Sequence, residues 1–521
     1  LTQFLSAADI YVTPYLNKEQ TTSGTLAYAL GSGRAVISTP YWHASELLAD
    51  GRGVLVPWKD PGAIAAAVIN LLSDGPKRLA MRQRAAALGK EMLWPEVGRR
   101  YLKSFDEAKK DHASRHKALI GAKKIPDRPE IKLDHLRSMT DETGLLQHAV
   151  FAIPRQEDGY CLDDNARALL LMTLMESGGM GNAVETRSFA VRYLAFVHHA
   201  FEPPSGRFRN FMSYSRQWVE GIGSEESHGR ALWALGTTVG RTIDPGRMSL
   251  SNGLFHKALP AVQDFSSPRA WAFSLLGIDG YLLAFEGDRS VQSIRKTIAE
   301  RLLGLYARTH SLDWPWFEDK ATYCNARLSQ ALIVSGHRMG NQGMVEAGLR
   351  SLDWLASTQC SEEGDFAPIG SNGFYPRGGE KAGFDQQPVE ACGMVSASLA
   401  ANRVTGQERW MEQARRAFHW FLGENQLRQP LYDAATGGCR DGLHDDRVNA
   451  NQGAESTLSF LLALCEMQTL DRLEAPKSLE ENEELTTGSP ASREVRARPF
   501  ALKVLSRGDK GKTPDSSPSI H

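Results

Sequence analysis

No two cysteines in this sequence stand at C-x-x-C spacing. The six (Cys161, Cys324, Cys360, Cys392, Cys439, Cys465) are scattered singly, which gives neither a zinc ribbon nor a disulfide framework. That usage fits a reducing, cytoplasmic setting. An excess of one charge is missing too: 60 Lys+Arg face 61 Asp+Glu, a formal net charge of -1. Such a balance supplies no overall drive toward nucleic acid or an acidic membrane. No apolar run approaches the roughly 18–20 residues that span a bilayer. The first residues, LTQFLSAADIYVTPYL, lack the basic start and cleavage site of a signal peptide. The chain starts on Leu1 rather than Met, so it is expected to be a piece of a longer protein. Its 521 residues exceed one ordinary domain and suffice for two or three.

What is present falls into segments. Residues 1–110 alternate short apolar runs (DIYVTP, RAVIST, GVLVP) with amphipathic stretches. Alternating β and α units predict a parallel sheet covered by helices. About three strands are visible, which makes this a partial α/β Rossmann-like domain. Residues 111–130 are basic and end in prolines, the composition of a linker. From 131 to 470 strand signals nearly vanish and helical periodicity takes over. There a short pattern recurs: DNARAL at 164–169, SHGRAL at 227–232, SPRAW at 267–271, CNARL at 324–328. Glu390 and Glu455 stand where the others carry Arg167, Arg230, Arg269 and Arg327. The spacing, about 40–65 residues, accommodates a helical hairpin plus a loop. Amphipathic runs at 188–200, 294–309, 347–358 and 411–425 lie between the starts. Six small-residue-rich inner helices alternating with six amphipathic outer ones predict an all-α (α/α)6 toroid. Residues 471–521 are polar, with Pro, Gly and Ser, and are expected to be disordered.

In the N-terminal segment, Gln20, Thr21, Thr22, Ser23, Gly24 and Thr25 run from a strand end into a helix. Free amides at a helix start attract phosphate, and Gly24 admits a ligand to the backbone. On physics alone Ser23 has an equally simple reading as the helix N-cap. The first 105 or so residues, with Ser32-Gly33 after that helix and the late GVLVP strand, resemble the C-terminal portion of family 4 (group 1) retaining GT-B glycosyltransferases. The resemblance implies half of a nucleotide-sugar site, with Glu19, Gln20, Ser23, Gly24 and Thr25 near donor phosphate and sugar. The nucleotide-sugar would be a donor substrate, and no further cofactor or metal is implied. The family often carries two glutamates here. Aligned without gaps, their positions hold Gln20 and Tyr28, with Glu19 one residue out of register. The acceptor domain and the first half of the donor domain are not in the sequence, so glycosyl transfer is expected of a longer parent.

In the helical segment the polar residues cluster just before the inner helices. Their loops should converge on one mouth, rich in carboxylates, aromatics and amides. Glycoside chemistry needs one carboxylic acid to protonate a leaving oxygen and a second to activate water or attack carbon. Glu226 is the first choice for the acid and Asp446 for the base, with Asp164 and Asp385 in reserve. Trp314 and Trp316 would stack on a sugar, while Arg230, Gln387 and Asn451 would bind hydroxyls. His228 and His444 lie beside carboxylates and keep an epimerase chemistry open. The segment resembles six-hairpin glycosidase-like domains in architecture, and its fusion to a group 1 transferase resembles a bacterial arrangement. Plainer readings stand beside these: the acids as caps, the arginines as bridges to Glu390 and Glu455, the tryptophans as core. The doubled acids Asp163/Asp164, Glu225/Glu226 and Asp445/Asp446 lack calcium-loop spacing. The expected function is that of a carbohydrate-active protein: a group 1 transferase whose toroid binds or processes a glycan. The alternatives are an independent hydrolase, phosphorylase or epimerase, and a non-catalytic sugar-binding scaffold.

Overall fold

The computed structural model describes residues 2–120 and 127–474. The chain divides into two compact units, Leu1–Lys124 and Ile125–His521.

The first unit runs α1 (Thr2–Ala7), β1 (Ile10–Thr13), α2 (Gly24–Gly31), β2 (Ala35–Ser38), α3 (Trp42–Leu47), β3 (Val54–Leu55), α4 (Pro61–Ser73), α5 (Gly75–Glu91) and α6 (Trp94–Ile120). The strands pair in parallel in the order β1-β2-β3, with Ile10 opposite Ala35 and Ile37 opposite Val54. All four residues of β2 are buried, as a central parallel strand covered on both faces requires. Asp60 and Asp74 cap α4 and α5, each followed within two residues by a proline that starts the helix. The first ten residues of the 111–130 linker are the last turns of α6. Their Lys, Ala and Arg are good helix formers, so the basic composition carried helix propensity as well as charge.

In the second unit a short helix, α7 (Asp134–Ser138), precedes eleven longer ones. The inner set is α8 (Leu162–Ser177), α10 (Glu225–Arg241), α12 (Pro268–Leu282), α14 (Asn325–Met339), α16 (Pro388–Thr405) and α18 (Ala454–Glu474). Each packs on the next, and α18 packs back on α8, so the ring closes. Outside them stand α9 (Ala183–Ala200), α11 (Pro245–Ala258), α13 (Arg289–Thr309), α15 (Gln342–Thr358) and α17 (Glu408–Leu422). Among the described residues the outer layer therefore holds five long helices, not six. The first four positions of the expected tail, 471–474, continue α18, and the rest lies outside the described residues. No described helix is long and apolar enough to cross a membrane.

Small residues let the inner helices approach. A Cβ built on Gly236 of α10 would lie 2.0 Å from the Gly277 carbonyl oxygen of α12, and one on Gly277 would lie 2.4 Å from the Leu232 oxygen. Backbone touches backbone there, which only glycine permits. Outer helices are closed by Asn182, Asp244, Asp288 and Asn341. Among inner helices Ser224 and Ser267 cap α10 and α12, whereas Cys161, Cys324 and Gln387 precede α8, α14 and α16 without a side-chain cap.

Candidate active site

The starts of four inner helices bring the principal groups together. Asp163 comes from the first turn of α8, Glu225 and Glu226 from that of α10, Ser267 caps α12, and Tyr323 stands two residues before α14. With Ser224 and Arg230 they line a cavity of about 380 Å³. The adjacent glutamates do different work. Glu225 accepts the Ser266 and Ser267 amides at 2.8 and 2.7 Å, so it ties α10 to the start of α12. Glu226 Oε1 accepts the Tyr323 hydroxyl at 2.9 Å and the Ser267 hydroxyl at 3.1 Å. Burial and the Glu226 charge push the Tyr323 phenol up to about 12, so it keeps its proton and donates. Arg230 bonds Asp163 at 3.0 Å and reaches Cys324 Sγ at 3.6 Å, its guanidinium 4.3 Å from the Phe273 ring centre. Burial works against the Arg230 charge, but Asp163 and the neighbouring acidic groups raise its pKa.

Toward the axis the recurrent arginines find four different partner sets. Arg167 bonds Asp164 at 2.9 Å and Glu455 at 2.5 Å. Asp164 also accepts from Cys161 Sγ at 3.0 Å, and burial lifts its carboxyl to about 6 although Arg167 pulls it down. Arg269 holds Glu318 at 2.9 Å, the Tyr323 carbonyl at 2.6 Å and Thr322 at 2.5 Å. Arg327 bonds Gln330 at 2.7 Å and Cys392 Sγ at 3.4 Å. Glu390 takes amides, Asn325 at 2.9 Å and Gln359 at 3.3 Å, and burial raises its pKa. The bridge to Glu455 is thus made by Arg167 alone, and Glu390 is held by amides rather than by an arginine.

A third group sits between α16 and the hairpin of Gly442–Leu443 with Val448–Asn449. His444 Nδ1 hydrogen-bonds Asp385 Oδ1, and the buried Gln386 accepts the Trp420 indole at 2.9 Å. Among the described residues no three His, Cys, Asp or Glu groups converge to hold a metal ion.

In the first unit the turn before α2 is closed by its own side chains. Ser23 Oγ accepts the Leu26 amide at 3.3 Å and lies 3.3 Å from Thr25 Oγ1, while the Ser23 amide donates to His43 Nδ1 at 2.9 Å. Gln20 Nε2 donates to the Thr22 carbonyl at 2.6 Å, and Glu19 is exposed. Gly24 leaves open space where a Cβ would stand. Hydrogen bonds to Ser23 and Thr25 lower the Tyr15 phenol.

Residues 1–74 match the family model for glycosyl transferases group 1. The second unit has the (α/α)6 toroid fold of several solved sugar-converting enzymes. A sugar epimerase from a ruminal bacterium superposes with TM-score 0.51 at 11% identity, over 66% of this chain and 97% of that one. A D-mannose isomerase gives 0.51 at 12% identity, over 64% and 94%. Cellobiose 2-epimerase from Bacillus thermoamylovorans gives 0.51 at 10% identity, over 65% and 96%. No curated protein matches the chain in sequence. Residues 1–74 thus resemble part of a group 1 glycosyltransferase, and the second unit has a toroid fold.

Several toroid residues lie elsewhere than the sequence suggested. Trp314 and Trp316 are 3% and 0% exposed and pack edge-on and tilted against Trp354. They are core, and no face remains for a sugar. His228 is 0% exposed, with Phe208 and Phe265 against its ring and Nε2 donating to the Ala258 carbonyl at 3.0 Å. Burial lowers it to about 3, so it stays neutral, and it does not line the cavity. Asp446 is exposed on the hairpin and paired with its neighbour Arg447 at 2.7 Å. Asp164 is buried and does not line the cavity that Asp163 lines. Asn451 Oδ1 accepts the Phe151 amide at 2.9 Å and so latches two loops. Gln387 is half-buried at the start of α16. Glu226 and Arg230 are at the cavity, while Asp385 and His444 meet each other. Asp163, Ser267 and Tyr323 were not singled out. A usable signal existed: Asp163, Glu226 and Tyr323 each stand four residues before the recurrent arginine of their helix.

Proposed function

We propose that the toroid is a sugar-processing domain and that the cavity beside α10 is its active site. The observation that carries this reading is the convergence of Asp163 from α8, Glu226 and Arg230 from α10, and Tyr323 from the loop before α14 around one 380 Å³ space. Glu226 is the proton-transferring carboxylate. Tyr323 and Ser267 hold one of its oxygens and so fix its orientation. Asp163 is the second carboxylate, kept in place by Arg230. Pairs of oriented carboxylates with flanking hydroxyl and guanidinium donors are what glycosidic bond chemistry uses. Glu226 keeps the role assigned from sequence, while the second carboxylate moves from Asp446 to Asp163. The test is product analysis after incubating the full chain with manno-, gluco- and galacto-oligosaccharides, with and without phosphate. Cleavage or phosphorolysis is expected, and Glu226→Gln should reduce it about 10²–10⁴-fold. Turnover that survives both Glu226→Gln and Asp163→Asn overturns the assignment.

A second reading rests on the His444–Asp385 pair. The carboxylate orients the imidazole, an arrangement suited to moving a proton at a sugar carbon. The matched structures are themselves named as epimerases and an isomerase. Interconverted but uncleaved sugar, lost in His444→Asn and kept in Glu226→Gln, would favour it. For the group 1 segment we propose nucleotide-sugar binding beside the Ser23-capped start of α2, where Gly24 leaves the backbone accessible, as part of a transferase acting on a glycan.

A further inference from the structure

The inner helices enclose a second hollow, remote from the mouth. The later turns of α8, α10, α12, α14, α16 and α18 surround a cavity of about 490 Å³. Its walls are mainly aliphatic, with Leu170, Leu276, Val334 and Leu399 among them, and carry Thr237, His337 and Thr469 as well. Its roof is the layer of Trp233 and Gln330. Arg327, in the first turn of α14, bonds Gln330 and lies 4.7 Å over the Trp233 ring. That layer separates the hollow from the carboxylates above.

The opening is cationic. Arg241, Arg338 and Arg403 lie in the last turns of α10, α14 and α16 and line the same cavity. Arg338 pairs with Asp279 at 3.0 Å. Among the described residues Arg241 and Arg403 are exposed and carry no ion pair. Arginines at helix C-termini complement the dipoles there, which explains their position. It does not explain a hollow of ligand size behind them. Glu466 also lines the cavity, its Oε1 accepting the Ser396 hydroxyl at 2.6 Å. A carboxylate inside and guanidinium groups outside give the occupant a direction: uncharged end inward, anion at the rim. Sugar chemistry does not suit these walls. Most of their surface is apolar, and the Trp233 ring is already covered by Arg327 and stacked with Phe273.

We propose that this axial cavity binds a free fatty acid, with the aliphatic chain between the inner helices and the carboxylate at the rim that Arg241 and Arg403 line. The inference is independent of the chemistry at the mouth.

The test is titration of the full chain with sodium dodecanoate below its micelle concentration, read by calorimetry. Dodecyl maltoside serves as the neutral-headed control. One saturable site is expected, at least tenfold weaker for the maltoside. The Arg241→Ala/Arg403→Ala double variant changes only exposed side chains and should weaken dodecanoate at least tenfold. Ala400→Phe, which fills the hollow, should abolish binding. Circular dichroism establishes that each variant is folded. No saturable binding, equal affinity for the two heads, or full affinity in the arginine double variant overturns the proposal.

Discussion

Two buried titratable groups of the toroid pull its stability in opposite directions with pH. Asp164 sits at about 6, against 3.8 for a free aspartate, because burial outweighs Arg167. The folded chain therefore holds this proton more tightly than the unfolded one. The stability it contributes is complete below about pH 4 and lost as pH rises through about 6. A shift of this size corresponds to about 3 kcal/mol. Asp164→Asn should flatten the dependence of the urea midpoint on pH between about 4 and 6. His228 acts the other way. Burial lowers it to about 3, so its contribution is complete above about 6.5 and is lost as pH falls toward 3. His228→Gln should reduce the loss of stability in acid. The same urea titrations check both variants, and slope changes of the same sign would contradict the assignment. At this scale the sequence was only partly readable. The doubled acids were visible, but which member lines a cavity depends on helix rotation. A difference of one residue separates Asp163, which lines the cavity, from Asp164, which does not.

Between elements, the closest contact is α10 on α12. Gly236→Ala places a methyl 2.0 Å from the Gly277 carbonyl oxygen. The helices must part, at a cost of about 1–3 kcal/mol. Thermal melts should show the loss, and Gly287→Ala, where nothing lies within 4 Å, should not. Helix starts were the most legible feature of this chain, because each inner helix opens on a repeated short motif. The outer helix α11 was not anticipated. Its run PGRMSLSNGLFHKA mixes glycine and serine among few apolar residues, and tertiary packing rather than periodicity holds it. The aromatic pair Trp314 and Trp316 was ambiguous for a similar reason. A Trp-Pro-Trp turn suits a binding loop and a buried corner equally, and only the partner Trp354, on α15, decides for the core.

At the scale of the whole toroid, closure is the decisive event. The last inner helix meets the first through the Arg167–Glu455 ion pair, whose members are 288 positions apart. Glu455→Ala removes the carboxylate that joins α18 to α8 and should cost about 1–3 kcal/mol. Amide exchange should then quicken in α8 and α18 together, while α12 and α14 on the far side stay protected. Exchange limited to α18 would mean that closure does not couple them. The two-unit organisation was legible as a change of periodicity, from alternating β and α to helix alone. Closure was legible only as a count of six starts. Ring closure has a further consequence. Gln468, near the end of α18, donates to the Pro129 carbonyl at 2.8 Å. The chain therefore comes into the toroid and leaves it at the same place. A module built this way is a cassette: joining its ends and opening a loop elsewhere should leave the ring intact, and a host protein can carry it without spanning its width.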